Sequence, residues 1–448
     1  MPLALSILLL AACAAEPAPP EHVTPDEALR LRAALAVLGA EQATATCPRA
    51  VLRGRAEPGS GEAAVAAVAE GRDAAQCLAL VAEQRTALDD ALFVPFEDLP
   101  TAWPHRNPWQ TLRTITRGQP APNVVERVAA ACAPLVEQLH AAVAHQDVCS
   151  PYRPGIAREE PRRLPDVALA ITATAVQRWI AEDDPAAARA LLDGLRLMDD
   201  VERGGARIEA QVLAVRARTP LVAGLEGLLD RAEPLGASLA RSIEAEVATL
   251  VASHPPMADS LRGLWASLLL DLPLPRRGGD DALLPFVGLH LIAGLVQTVC
   301  SAEAPVQRCA DELSQVDGRL AELTRLDGRN GALAESMVSF VGPYPQHVRQ
   351  RALRDAALPG LRTAATWRRV IEETGECPSG DAFDAQPLRS ARRDPVKDGI
   401  LAVTRFPAGR YLVHIEGWPD GPDLEDAPPG VVLSCPVTRI LALDDDGD

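Results

Sequence analysis

Chemistry has few places to start in this 448-residue chain. Lys397 is the only lysine and sits in Asp394-Pro395-Val396-Lys397, so there is no G-x-x-x-x-G-K loop to cradle a phosphate. Asp394 occupies the place a Ser-x-x-Lys nucleophile would need. The polar Asp/Pro-rich surroundings offer no apolar pocket for a Schiff-base amine. No serine lies in G-x-S-x-G, and no histidine is followed by glutamate, so H-E-x-x-H is missing. Glu137-Gln138-Leu139-His140 has the E-x-x-H spacing of di-iron bundles, but those need a second E-x-x-H and two further glutamates, and the chain has no second copy. Glu137 and His140 therefore read as a surface acid and a helix-face imidazole. His145 is five residues on, off the shared face, and His290, in an apolar run, reads as a hydrogen-bonded core histidine. The pairs Asp183-Asp184, Asp199-Asp200 and Asp280-Asp281 read as helix caps or solvated acids. The tail Asp444 to Asp448 ends too soon to form a calcium loop. No catalytic residue, metal ligand or cofactor follows from these patterns. Trp103, Trp109, Trp179, Trp265, Trp367 and Trp418 are scattered and name no sugar platform.

The cysteines are more informative. Residues 1–12, MPLALSILLLAA, are apolar but too short to span a bilayer, which takes about 20 residues. The run ends Leu10-Ala11-Ala12-Cys13 and resembles the lipobox of bacterial lipoproteins. That resemblance implies a signal peptide over 1–12, acylation of Cys13 and a Pro-rich tether over 13–24. Ala14 rather than Asp after the cysteine implies the outer membrane, facing the periplasm, over the inner one.

Eight cysteines remain: Cys47, Cys77, Cys132, Cys149, Cys300, Cys309, Cys377 and Cys435. An even set in an exported chain reads as disulfides, and the lack of any C-x-x-C disfavours a thiolate zinc site or a redox pair. Cys300 and Cys309 flank a short loop and are expected to pair. Cys377 and Cys435 bracket the C-terminal segment and are expected to close it. A helix over 134–145 would be about 18 Å long, and four residues return roughly 14 Å, so a Cys132–Cys149 bond would be taut. Pairing Cys77 with Cys132 and Cys47 with Cys149 is easier.

The elements that must position these residues are mainly helical. Ala supplies roughly one residue in six and aromatics only 3%, which favours helix. The spacing of Leu31, Leu35 and Leu38 behind a Thr24-Pro25-Asp26-Glu27 start predicts a helix. Further helices are expected over 61–92, with a joint at Gly71, and from Asn123 to about His145, with a kink at Pro134. Residues 165–230 predict three helices, with turns at 182–185 and 204–205. The stretch RWIAEDDPAAARALLDGLRL resembles the turn and second helix of a tetratricopeptide repeat; a generic Ala/Leu hairpin fits equally well. Helices are also expected over 235–253, 257–270, 283–300, 305–317 and 350–374. Beyond 377, Ile400 to Val403 with Phe406, Tyr411 to Ile415, Val431 to Leu433 and Ile440 to Leu443 read as strands of a small antiparallel module. The predicted organisation is an N-terminal helical region over 25–160, a helical-hairpin domain over 161–376, and a disulfide-closed β module with an acidic tail over 377–448.

Two C-terminal stretches carry a second resemblance. One runs from Asn330-Gly331 through Trp367-Arg368-Arg369 to Gly375. The other is Asp381-Ala382-Phe383-Asp384-Ala385-Gln386-Pro387-Leu388-Arg389. The latter is similar to the D-P-F-x-G-x-P-L-R-Y segment of an uncharacterised family of exported bacterial helical proteins and of pilin-like secretion proteins. Ala382, Ala385 and Ser390 depart from that pattern. The resemblance covers about the last quarter of the chain and implies no catalytic residues.

With 44 basic against 61 acidic residues the formal charge is −17, which disfavours a nucleic-acid partner. The leading expectation is a lipid-anchored, non-enzymatic binding or scaffolding protein of the bacterial envelope with a protein or peptide partner. The alternatives are an envelope hydrolase using a carboxylate pair and a structural accessory of a secretion system.

Overall fold

The computed structural model describes residues 72–92, 119–143, 164–203, 208–231, 233–253, 306–325, 357–394, 399–406, 410–414 and 430–433. The expected helices at 25–38, 257–270 and 283–300, the strand at 440–443 and the acidic tail lie outside them, as do Cys13, Cys47, Cys149, Cys300, Cys435, His145, His290 and Lys397.

The first two helices among the described residues are long, α1 (Arg72–Leu92) and α2 (Asn123–Val143). Pro134 lies inside α2, yet the helix continues past it. A proline there forfeits one helical hydrogen bond, and the burial of Leu135, Val136 and Leu139 just beyond it supports the continuation. Helix α3 (Leu164–Ile180) packs against α1, α2, α4 and α5. The helix is buried on nearly all faces, from Leu164 to Trp179. A helix apolar all round belongs at the centre. Its buried Thr172 and Thr174 hydroxyls donate to the carbonyls of Ala168 and Ala170, at 2.9 and 2.8 Å, which removes the cost of burying them.

The turn from α3 into α4 (Asp184–Arg203) takes three residues. Glu182 adopts φ 65°. Its N–H donates to the Trp179 carbonyl at 3.0 Å, and the Asp183 N–H donates to that of Arg178 at 2.9 Å. This pair of bonds closes a helix end around a left-handed residue, a place usually given to glycine. The Asp183 carboxylate then accepts the Ala186 N–H at 3.2 Å and caps α4.

Helix α5 (Ile208–Leu229) completes the hairpins against α3 and α4. Two glycines let the backbones approach. A Cβ on Gly194 of α4 would come within 2.8 Å of Leu221 Cδ2 and 3.2 Å of Ile171 Cδ1; one on Gly224 of α5 would come within 2.8 Å of Leu191 Cδ2. The fit is reciprocal, each helix offering a glycine to a leucine of the other. Asp199 of α4 and Arg218 of α5 form an ion pair in the same interface, both side chains 3% exposed. This corrects the reading of Asp199 as a cap or a solvated acid: the third helix brings a guanidinium to it.

Helix α6 (Ala237–Ser253) packs on α4 and on α8 (Ala357–Thr374), while α7 is Val306–Leu323 and runs past the expected end at 317. Helix α8 joins the helical body to the C-terminal module. It contacts α5 and α6, and also the strands and the short helix α9 (Leu388–Ala391). A 3-10 turn, Gly380–Asp384, precedes α9. Strands β1 (Arg393–Asp394) and β2 (Gly399–Ile400) form a two-stranded ladder, Arg393 opposite Ile400. A separate antiparallel sheet has the order β3 (Ala402–Phe406), β4 (Arg410–His414), β5 (Gly430–Leu433). Ala402 faces His414, and Tyr411 faces Leu433. The expected strand Ile400 to Val403 is thus split. At Leu401 the backbone turns its N–H to the Arg392 carbonyl, 2.7 Å away, and its own carbonyl accepts from the buried Arg392 guanidinium at 3.1 Å.

The chain is therefore mainly α with a small antiparallel β part near the C-terminus. One continuous apolar core runs from Ala74 of α1 to Leu433 of β5.

Two substitutions test this packing. Gly194→Ala should lower stability by about 1–3 kcal/mol, because the added methyl overpacks a filled interface, despite the better helix propensity of alanine. Glu182→Gly should raise it by about 0.5–1 kcal/mol by relieving the left-handed residue. Urea unfolding of each variant beside the wild type gives both signs.

Candidate functional site

Helix α2 presents Glu137 and His140 one turn apart, and each meets a different neighbour. Glu137 pairs with Arg178 of α3. His140, half exposed, places Nδ1 2.7 Å from Oδ2 of Asp193 on α4, whose side chain is 3% exposed. An ionised carboxylate only accepts, so Nδ1 carries the proton in this bond. Oδ1 of Asp193 is 3.4 Å from the Arg196 guanidinium, which in turn pairs with Glu246 of α6. The E-x-x-H thus has a guanidinium partner on α3 and a carboxylate partner on α4, and Arg196 links the latter to α6. Among the described residues no group of three or more His, Cys, Asp or Glu is arranged to hold a metal ion.

Burial pushes the Asp193 carboxyl above its ordinary range; the hydrogen bond from His140 and the charges of His140, Arg196 and Arg189 offset this in part. Burial likewise raises Asp89 of α1, against the nearby Arg85 charge. Arg85 pairs with Asp166 in the first turn of α3, a favourable place for an acid.

Between α3, α4 and α5 lies a crevice lined by Trp179, Ala187, Leu191, Gly224 and Leu228, among others. The Arg231 guanidinium lies 3.9 Å from the centre of the Trp179 ring, within cation–π range. The free space is on the order of one water molecule. Leu191 and Leu228 line it from α4 and α5.

The cysteines are placed in part. Cys77 of α1 and Cys132 of α2 form a disulfide with Cα atoms 4.9 Å apart, both residues fully buried. This is the helix-to-helix pairing that chain geometry favours. Closing a loop of 55 residues is worth roughly 4 kcal/mol in the chain-entropy picture. Cys309 and Cys377 are disulfide-bonded as well; Cys300 and Cys435, the partners expected for them, lie outside the described residues.

Sequence reasoning missed one cluster. Trp367 of α8 stacks on Phe383 of the 3-10 turn at 5.1 Å, and Tyr411 of β4 meets the two rings edge-on or tilted at 5.3 and 5.0 Å. The Arg392 guanidinium sits 5.5 Å from the Phe383 ring, and burial holds it below the usual arginine range. The tryptophans are scattered in sequence, and only the fold brings one of them to a phenylalanine and a tyrosine. All three rings are buried, so the cluster is an anchor for the C-terminal part and not a sugar platform.

No family model matches the chain, and neither a curated protein nor a solved structure matches it. Among the described residues no helix is long and apolar enough to cross a membrane.

The raised Asp193 carboxyl has a signed consequence. Its contribution to stability is fully present below the ordinary carboxylate value of 3.8 and is lost as pH rises through the raised folded value. Asp193→Asn should remove that component. The wild-type stability curve, from urea titrations between pH 3.5 and 6, should fall relative to the variant's across this range; parallel curves would contradict the assignment.

Proposed function

We propose that the chain is a lipid-anchored protein of the bacterial envelope, tethered through Cys13, that acts by binding or scaffolding a protein or peptide partner. The observation that carries this reading is covalent. Cys77 and Cys132 are bonded to each other inside an apolar core, and Cys309 and Cys377 each take part in a disulfide. Such bonds persist in oxidising compartments and are rare in a reducing cytosol. The run Leu10-Ala11-Ala12-Cys13 supplies the acylation signal, and the Pro-rich stretch behind it extends the body away from the bilayer. The formal charge of −17 suits a partner that is not a nucleic acid.

The anchor is tested on the protein in its native cells. Wild-type protein should fractionate with membranes, and its N-terminal peptide should carry the mass of an acylated Cys13. Cys13→Ala should move the protein to the soluble fraction. Wild-type protein that is soluble with an unmodified Cys13 would overturn the reading.

A further inference from the structure

We propose that His140 and Asp193 form a proton-operated clasp that sets how tightly α2 docks on α4. The geometry is asymmetric. The imidazole is half exposed and in reach of solvent protons, while its carboxylate partner is almost wholly buried. A neutral imidazole offers that carboxylate one N–H. Protonation adds a positive charge to that donor and turns the hydrogen bond into an ion pair in a poorly solvated place, where the attraction is stronger than in water. Imidazole is the side chain whose ordinary charge change lies between pH 5 and 8.

The other charges at the contact are the guanidiniums and carboxylates around Asp193 and Glu137. Asp193 also feels Arg189 and Arg196 on its own helix, and both guanidiniums stay charged throughout. Arg196 is 3.4 Å away and shared with Glu246 of α6. Glu137, on the His140 side, is engaged by Arg178 of α3. The direct bond to the buried carboxylate at 2.7 Å comes from the imidazole. Because α2 is bonded to α1 through Cys132 and Cys77, tightening at His140 acts on the docking of a covalently joined helix pair.

The test is a double-mutant cycle with His140→Gln and Asp193→Asn, unfolded in urea at pH 6 and pH 8 in constant salt. Glutamine keeps a hydrogen-bonding amide but cannot be protonated. The coupling between positions 140 and 193, read as a ratio of unfolding constants, should be at least about fivefold larger at pH 6 than at pH 8. Amide exchange over 123–143, corrected for its intrinsic pH dependence, should slow at pH 6 in wild type and not in His140→Gln. Exchange is read on the folded protein, so it decides the matter even if Asp193→Asn unfolds. Equal coupling at the two pH values, or exchange protection in His140→Gln that follows wild type, would overturn the clasp.

Discussion

A single buried ion pair holds the crossing on which the fold depends. Arg368 and Glu372, one turn apart on α8, lie 2.7 Å from each other with side chains 3% and 5% exposed. Taking two charges out of water is costly, and their mutual attraction alone does not offset it. What offsets it is the connection from α5 to α6. The Arg368 guanidinium donates to the carbonyls of Leu229, Arg231 and Glu233, where α5 ends and leaves carbonyls unsatisfied. The Glu372 carboxylate accepts the N–H groups of Leu235 and Gly236, just before α6 begins. Cation and anion thus each satisfy the backbone end whose partial charge opposes their own. Replacing either side chain with an apolar one would leave its partner buried and also strip the connection of its hydrogen bonds.

This clamp explains why the molecule is built outward from α8. On one side, Arg369 of α8 pairs with Glu244 of α6, and Glu373 is shared between Arg369 and Arg241; Thr366 donates to Glu244 at 2.8 Å. On the other side, Gly360 allows Val431 of β5 so close that a Cβ would lie 2.7 Å from its Cγ2, and Trp367 seats the Phe383 and Tyr411 rings. One helix therefore carries polar latches toward the helical body and apolar contacts toward the strands. Elsewhere in the helical body, α1 and α2 are joined by a disulfide and held to α3 and α4 by the contacts of Arg85, Glu137 and His140.

Local features were legible in the sequence and long-range partners were not. The three helices of 165–230 follow from the spacing of their apolar residues and from the acids and proline of the intervening turn, which are local signals. The strands around Tyr411 and Val431 follow from clustered β-formers on either side of turn residues. The E-x-x-H of α2 was visible, but that Asp193 waits 53 residues away for His140 was not. Asp199 looked like any acid at a helix end because Arg218 lies on the next helix. The glycines at 194 and 224 gave no periodic signal, since their role is set by the leucines that approach them. Arg368 stood in a Trp-Arg-Arg run with nothing to mark it as buried; only the carbonyls of the α5–α6 connection do that. A charged side chain earns burial through distant partners, and single-sequence patterns do not record distance.

The account stands or falls with the α8 clamp, and the amides of Leu235 and Gly236 report on it directly. They lie in a connection between helices, where exchange by local opening is the ordinary behaviour. If Glu372 holds them as described, native-state hydrogen exchange should find both among the slowest amides of the chain, with protection that falls in denaturant along the same slope as global unfolding. Fast, denaturant-independent exchange at these two sites in an otherwise stable protein would mean that the connection is not clamped and that the crossing at α8 does not organise the fold.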